Sequence, residues 1–186
     1  MRTIQFLTLA TFAVTSALAQ PSEDLNKELS LSGAYQSFSS GSGSGSSSAF
    51  LLSPRLGFFV AGGLEIEPEF LVMFGSGSEA IYMLNGNLSY NFISAGKGVP
   101  FVLLGYGTAN TIPVFNVPTA RTGFGVGVLN MGAGVKAFLK EDIAIRFEYR
   151  YQQFSGEGEF DYGYFSYRQK VDMNIHTVQF GLSVLL

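Results

Sequence analysis

The last nine residues, Val178-Gln179-Phe180-Gly181-Leu182-Ser183-Val184-Leu185-Leu186, put Val178, Phe180, Leu182, Val184 and Leu186 on one parity. Alternation of this kind is a strand with one continuous apolar face. A tilted strand of about nine to eleven residues just crosses the hydrocarbon layer of a bilayer. The segment therefore reads as a membrane-crossing strand, which constrains where the chain lives more than what it does.

The N-terminus points the same way. Arg2 supplies a positive charge, an apolar run from Ile4 to Val14 follows, and Ala17-Leu18-Ala19 offers the small residues that a signal peptidase reads. Residues 1–19 are expected to be a cleaved signal peptide, and the run is too short for a membrane anchor. No later apolar run reaches helix-spanning length. Charged residues make up 13% of the chain against 47% hydrophobic, about half the charged fraction usual in a soluble domain. With no cysteine, thiolate chemistry, Cys-based metal sites and a disulfide scaffold are excluded. A net charge of −3 without a basic cluster argues against nucleic acid.

Period-two alternation recurs in eight segments, near residues 28–38, 49–60, 64–74, 81–92, 100–108, 125–139, 143–152 and the C-terminal stretch. In the third, Leu64, Ile66, Pro68, Phe70, Val72 and Phe74 alternate with Glu65, Glu67, Glu69, Leu71 and Met73. In the seventh, Ile143, Ile145, Phe147, Tyr149 and Tyr151 face away from Ala144, Arg146, Glu148, Arg150 and Gln152. The fifth is ambiguous, because both parities are apolar or glycine. Ala61-Gly62-Gly63 and Lys140-Glu141-Asp142 read as tight turns.

Alternation alone allows an apolar face turned inward, as in a lipocalin, or outward to lipid. Connections alternate between short (61–63, 93–99, 140–142) and long (38–48, 109–122, 155–170), as in membrane barrels; 75–79 is shorter than that pattern predicts. The polar parity holds Arg55, Lys136, Arg146 and Arg150 against Glu65, Glu67, Glu69 and Glu148, a balance suited to a closed, paired interior. With Gly62 centring the turn, Arg55 and Glu69 become cross-strand neighbours. Tyr35, Tyr106, Tyr149 and Tyr151 fall toward one interface, and Phe58, Tyr90 and Phe92 toward the other.

From about Glu28 to Leu186 the chain resembles the OmpA/OmpX-like eight-stranded outer-membrane β-barrel superfamily. The resemblance is carried by Asn130-Met131-Gly132-Ala133-Gly134-Val135-Lys136-Ala137-Phe138, a short turn, then Ile143-Ala144-Ile145-Arg146-Phe147-Glu148-Tyr149-Arg150-Tyr151. Gln179, Gly181, Val184 and Leu186 resemble the family's C-terminal assembly signal, although Leu186 stands where Phe is usual. It implies an all-β fold: a transmembrane eight-stranded antiparallel up-and-down barrel over residues 28–186, after a short linker at 20–27, with no periplasmic domain. An eight-stranded barrel is just wide enough to be filled by its own side chains. Arg55, Glu65, Glu67, Glu69, Lys136, Arg146, Glu148 and Arg150 are then expected to form a lumenal network.

Chemistry is sparse. The one histidine, His176, falls on the lipid-side parity near the outer rim, without the His-x-Ser pattern of lipid A deacylases. Residues 39–48 are a Ser/Gly tract expected to have no fixed structure. The loop at 109–122 carries Ile112, Val114, Phe115 and Val117. In the loop at 155–170, Phe160, Tyr162, Tyr164, Phe165 and Tyr167 are interleaved with Glu157, Glu159 and Asp161, then Arg168 and Lys170. These aromatics read either as a hairpin continuing the seventh and eighth strands or as a contact surface for an extracellular ligand. The three carboxylates do not define a metal shell.

The expectation is a non-enzymatic, cofactor-free, monomeric barrel with a structural and surface role, envelope integrity with adhesion through its outer loops. Its expected partners are outer-membrane lipids and the barrel-assembly machinery. A small gated pore is the main alternative, and a lipid-modifying enzyme is the third.

Overall fold

In the computed structural model, residues 26–39, 46–75, 80–93, 96–110, 125–161 and 166–186 are described. They form eight strands: β1 (Lys27–Ser39), β2 (Ser46–Ala61), β3 (Leu64–Gly75), β4 (Ile81–Asn91), β5 (Gly98–Ala109), β6 (Val126–Phe138), β7 (Ile143–Asp161) and β8 (Ser166–Leu185). Each pairs antiparallel with the next, and β8 pairs with β1 to close the barrel. Closure matters physically, because a sheet edge left in lipid strands its amide and carbonyl groups without partners.

Burial alternates with the sequence parity along most of each strand, with a break in β3 where Val72, expected on the outward parity, is buried with Leu71 and Met73. β4 alternates without a break, with Ile81, Met83, Asn85, Asn87, Ser89 and Asn91 buried and the residues between them exposed. The exposed parity is a belt of large apolar side chains, including Leu56, Ile66, Leu88, Val102, Phe147, Phe180 and Leu182. Such a surface is stable only against lipid. Tyr35, Tyr82 and Tyr106 lie on this outer surface toward the loop end of their strands, and Phe58, Tyr90 and Phe92 toward the turn end; Tyr149, expected with the first group, lies in the half of β7 nearer the turn, because β7 extends to Asp161. β5 settles the ambiguous segment: Val99, Phe101 and Leu103 turn inward, and Val102, Leu104 and Tyr106 turn outward.

The turn end is compact. Between β2 and β3 the chain reverses at Gly62 and Gly63, with φ of 43° and 90°, values that favour glycine. A Cβ on Gly63 would also run into the Asn91 carbonyl oxygen. At the opposite end the strands outrun expectation. β7 continues to Asp161 and β8 begins at Ser166, so most of the anticipated 155–170 loop is a hairpin. Its register sets Glu157 opposite Lys170, Glu159 opposite Arg168 and Phe160 opposite Tyr167. This is the hairpin continuing the seventh and eighth strands, one of the two readings of these residues. The Ser/Gly tract is corrected in part, since Ser46, Ser47 and Ser48 belong to β2 and pair with Ser39, Phe38 and Ser37. Ile112, Val114, Phe115 and Val117 lie outside the described residues.

One seam departs from the rest. The β1–β8 ladder runs from Glu28–Leu185 to Gly33–Phe180 and ends there, although both strands continue toward the loop end.

Candidate functional site

The interior is a stack of three layers. In the middle, β2, β3, β6 and β7 bring Arg55, Glu65, Glu67, Glu69, Lys136, Arg146, Glu148 and Arg150 together, all fully withdrawn from solvent. These are the eight side chains anticipated on the lumenal parity. They meet because inward residues of a narrow barrel have nowhere to point but at one another.

Glu69 and Glu148 organise the loop-side half of this layer. Arg55 donates from Nε to Glu69 Oε1 at 2.8 Å, from Nη1 to Glu148 Oε2 at 2.7 Å, and from Nη2 to Gln179 Oε1 at 2.7 Å. The Arg55–Glu69 pairing follows directly from their register across the β2–β3 turn. Arg150 reaches both carboxylates, donating to Glu69 Oε2 at 2.6 Å and to Glu148 Oε1 at 2.6 Å. Glu69 also accepts hydrogen bonds from Ser53, Asn85 and Asn87. Every lone pair of this carboxylate is thus engaged, the condition under which a buried charge is tolerated.

Arg146 joins this half to a second group nearer the turns. Its two terminal nitrogens donate to both oxygens of Glu67, at 3.2 and 3.0 Å, and Nε donates to Glu148 Oε2 at 3.0 Å. The bidentate fork fixes its plane. Lys136 Nζ donates to Glu65 Oε2 at 2.8 Å and to Glu28 Oε2 at 2.6 Å. Phe101 lies against both cations, its ring centre 4.3 Å from the Arg146 guanidinium carbon and 5.7 Å from Lys136 Nζ. A ring face turned to a desolvated cation contributes attraction that an aliphatic side chain lacks.

Glu28 is the lumenal residue missed by the sequence reading. It opens the first alternating segment, where the neighbouring inward positions are serines. With it, five carboxylates face four cations, so the described interior is not charge-balanced as expected. The signal was its parity, shared with Ser30 and Ser32.

Apolar layers flank the charged one, a second departure from an interior read as polar. Toward the loops, Leu51, Leu71, Met73, Ile81, Met83, Val126, Val128, Phe154 and Ile175 pack together, and toward the turns Val99, Phe138, Ala144 and Leu185 do so. Leu51, Leu71 and Met73 sit on the charged parity of β2 and β3, which was visible, but their common height is set only by closure.

His176 lies on the outer surface, where Nδ1 shares a 2.6 Å hydrogen bond with the Tyr149 hydroxyl and the ring stands 5.1 Å from that of Tyr151. Of the aromatic loop residues, Tyr162, Tyr164 and Phe165 lie outside the described residues, and Phe160 and Tyr167 are strand positions in the hairpin. In the C-terminal signal, Gln179 faces inward to Arg55 and Leu186 is exposed. Among the described residues no group of acidic or histidine side chains is placed to hold a metal.

The sequence matches the family described as outer membrane protein beta-barrel domain over residues 6–184. The chain belongs to this outer-membrane barrel family. Its location is accordingly the bacterial outer membrane, crossed by strands. The fold is similar to the crystal structure of Neisserial surface protein A, with a TM-score of 0.60 at 12% identity, covering 86% of this chain and 96% of that one. A solid-state NMR structure of the outer membrane protein AlkL in DMPC bilayers is less similar, with a TM-score of 0.46 at 13% identity, covering 96% and 97% of the two chains. None of the curated proteins matches the sequence. For an outer-membrane barrel, the three-layer filling is the feature that bears on function.

Proposed function

We propose that this outer-membrane barrel has a structural and surface role, stiffening the envelope with a closed lumen and displaying the β7–β8 hairpin and the outer loops for extracellular contact. The observation that carries the reading is the layered interior. An ion crossing it meets an apolar layer at each end and a central layer whose charges are already engaged with one another. Shedding hydration in such an apolar constriction is costly, so the layers act as seals. From the Tyr151–His176 level the hairpin runs on for ten more pairs to Asp161–Ser166, a reach on the order of 30 Å. His176 serves here as a rim residue tied to Tyr149, not as a general base.

Planar-bilayer recording and a hairpin replacement test the reading together. Residues 157–170 are exchanged for Asn-Gly, which joins the paired Gly156 and Val171 by a two-residue turn. The expected result is no unitary conductance from either protein, a shift in gel mobility on boiling from both, and loss of surface attachment from the hairpin-less form alone. Unitary steps that change in a Glu69→Gln variant would refute the closed lumen in favour of a gated pore.

A further inference from the structure

The charged layer does not cancel within itself. Toward the loops, Glu69 and Glu148 meet Arg55 and Arg150, two charges against two. Toward the turns, Glu28, Glu65 and Glu67 have only Lys136 and Arg146, and Arg146 also serves Glu148. The surplus lies where one ammonium is shared by two acids: Lys136 Nζ is 2.6 Å from Glu28 Oε2 and 2.8 Å from Glu65 Oε2. Their second oxygens are left over. Neither Glu28 Oε1 nor Glu65 Oε1 accepts a hydrogen bond among the described residues, although Glu28 is only 2% exposed and Glu65 is fully buried. Glu28 Oε1 lies 3.5 Å from Arg146 Nη1, a nitrogen that already donates to Glu67.

Gly57 lets the two acids meet. It pairs with Glu28 across β1 and β2, and Glu65 leans in from β3, so that a Cβ on Gly57 would run into Glu65 Oε1 and lie 3.1 Å from the Glu28 Cβ. The remaining strands bring no further charge to the pair. Arg55 on β2 is turned to Glu69, Glu148 and Gln179. The described inward residues of β4, β5 and β8 are uncharged, with Ser89 opposite Glu65 and Leu185 opposite Glu28. Below, the apolar layer of Val99, Phe138, Ala144 and Leu185 covers the acids from the turn side.

We propose that the Glu28–Glu65 pair is a proton-binding site, and that its one proton completes the neutralisation of the lumen and lets Lys136 tie β1, β3 and β6 together. The inference rests on the closed lumen proposed above. Two ionised acids on one ammonium, out of reach of water, leave a negative charge whose desolvation nothing offsets, and a buried acid in that position takes up a proton instead. Room selects a proton over an alkali ion, because the space beside Gly57 is already filled by the Glu65 oxygen and no group of three acidic side chains surrounds it among the described residues. The proton belongs to the pair as a unit. In the unfolded chain both acids are ionised at neutral pH, so folding takes the proton up, and the folded barrel is weakened as rising pH withdraws it.

The test is infrared spectroscopy of the full chain refolded at neutral pH in a detergent without ester groups, where the carbonyl stretch of a protonated carboxyl stands apart from that of a carboxylate. The wild type is expected to show one such band. Glu28→Gln and Glu65→Gln, each of which leaves four carboxylates against four cations, should lose it, and Glu141→Gln at an exposed turn should keep it. In urea unfolding above neutral pH, the folding equilibrium of the wild type should fall more steeply than that of either variant, by up to about tenfold per pH unit for one proton. A mobility shift on boiling confirms folding, and either variant that folds carries the test. No band in a wild-type barrel that is silent in planar bilayers overturns the proposal and leaves the closed lumen standing; no band in one that conducts overturns both. A band that persists in the folded variants, or that sodium ions displace at constant ionic strength, also overturns it.

Discussion

Neutralising Glu69 tests whether the lumenal network is as tightly coupled as its geometry implies. Its carboxylate lies between Arg55 and Arg150, at 2.8 and 2.6 Å, and accepts further bonds from Ser53, Asn85 and Asn87. Glu69→Gln keeps the volume and one acceptor oxygen but leaves the desolvated Arg55 and Arg150 guanidinium groups with Glu148, which Arg146 also uses. Removing one partner of a buried pair typically costs about 3–5 kcal/mol, because the remaining charge stays uncompensated. Replacing both partners with apolar side chains of similar length costs less, so the Glu69→Met/Arg150→Met double variant should recover part of the loss. A coupling of about 2 kcal/mol or more is expected between the two positions. The assay is urea unfolding of barrels refolded in lipid vesicles, followed by circular dichroism and by mobility on unboiled gels, since the chain has no tryptophan to report by fluorescence. Lys140→Gln, at an exposed turn, should change stability by under about 0.5 kcal/mol. A Glu69→Gln loss no larger than that of Lys140→Gln would refute the argument, and would mean that water enters the central layer freely.

Other tests address the wall and the turns. Leu182→Arg, half exposed on the lipid face of β8, should cost about 2–4 kcal/mol and deplete the protein from the outer-membrane fraction; a variant that assembles normally would mean that this face does not meet hydrocarbon. The chain has no cysteine, so engineered pairs can map the β1–β8 seam cleanly. Leu31→Cys/Leu182→Cys, a pair in the ladder, should oxidise readily, whereas Tyr35→Cys/Val178→Cys, two residues beyond its end, should not; equal crosslinking would show that the ladder continues. Gly63→Val should lower the urea midpoint and slow refolding, because its φ of 90° suits glycine and a Cβ meets the Asn91 carbonyl; an unchanged midpoint would contradict the turn geometry.

Much of the barrel was legible because strand parity is a local property. Ser53 and Arg55, or Glu65, Glu67 and Glu69, share a face whatever the rest of the chain does, so the lumenal set could be named residue by residue. The Arg55–Glu69 pair was legible for a similar reason, as a two-glycine turn fixes register over a few residues. β5 was not, since Val99 to Leu104 is apolar on both parities and only its neighbours decide that Phe101 faces Lys136 and Arg146. The β7–β8 hairpin was legible as one reading of the 155–170 segment, but its register, with Glu157 and Glu159 opposite Lys170 and Arg168, was not.

The sequence by itself determined which side chains face lipid and which face inward, because a polypeptide strand repeats every two residues. Only closure of the sheet decided which inward side chains meet. Arg55 finds Glu148 and Gln179, and Lys136 finds Glu28, across separations of 93, 124 and 108 residues. Those meetings depend on the stagger accumulated around eight strands, a sum over every ladder in the barrel that no single segment encodes. The same stagger brings the apolar ends of the strands to common heights and so makes three layers from what reads, strand by strand, as one mixed face.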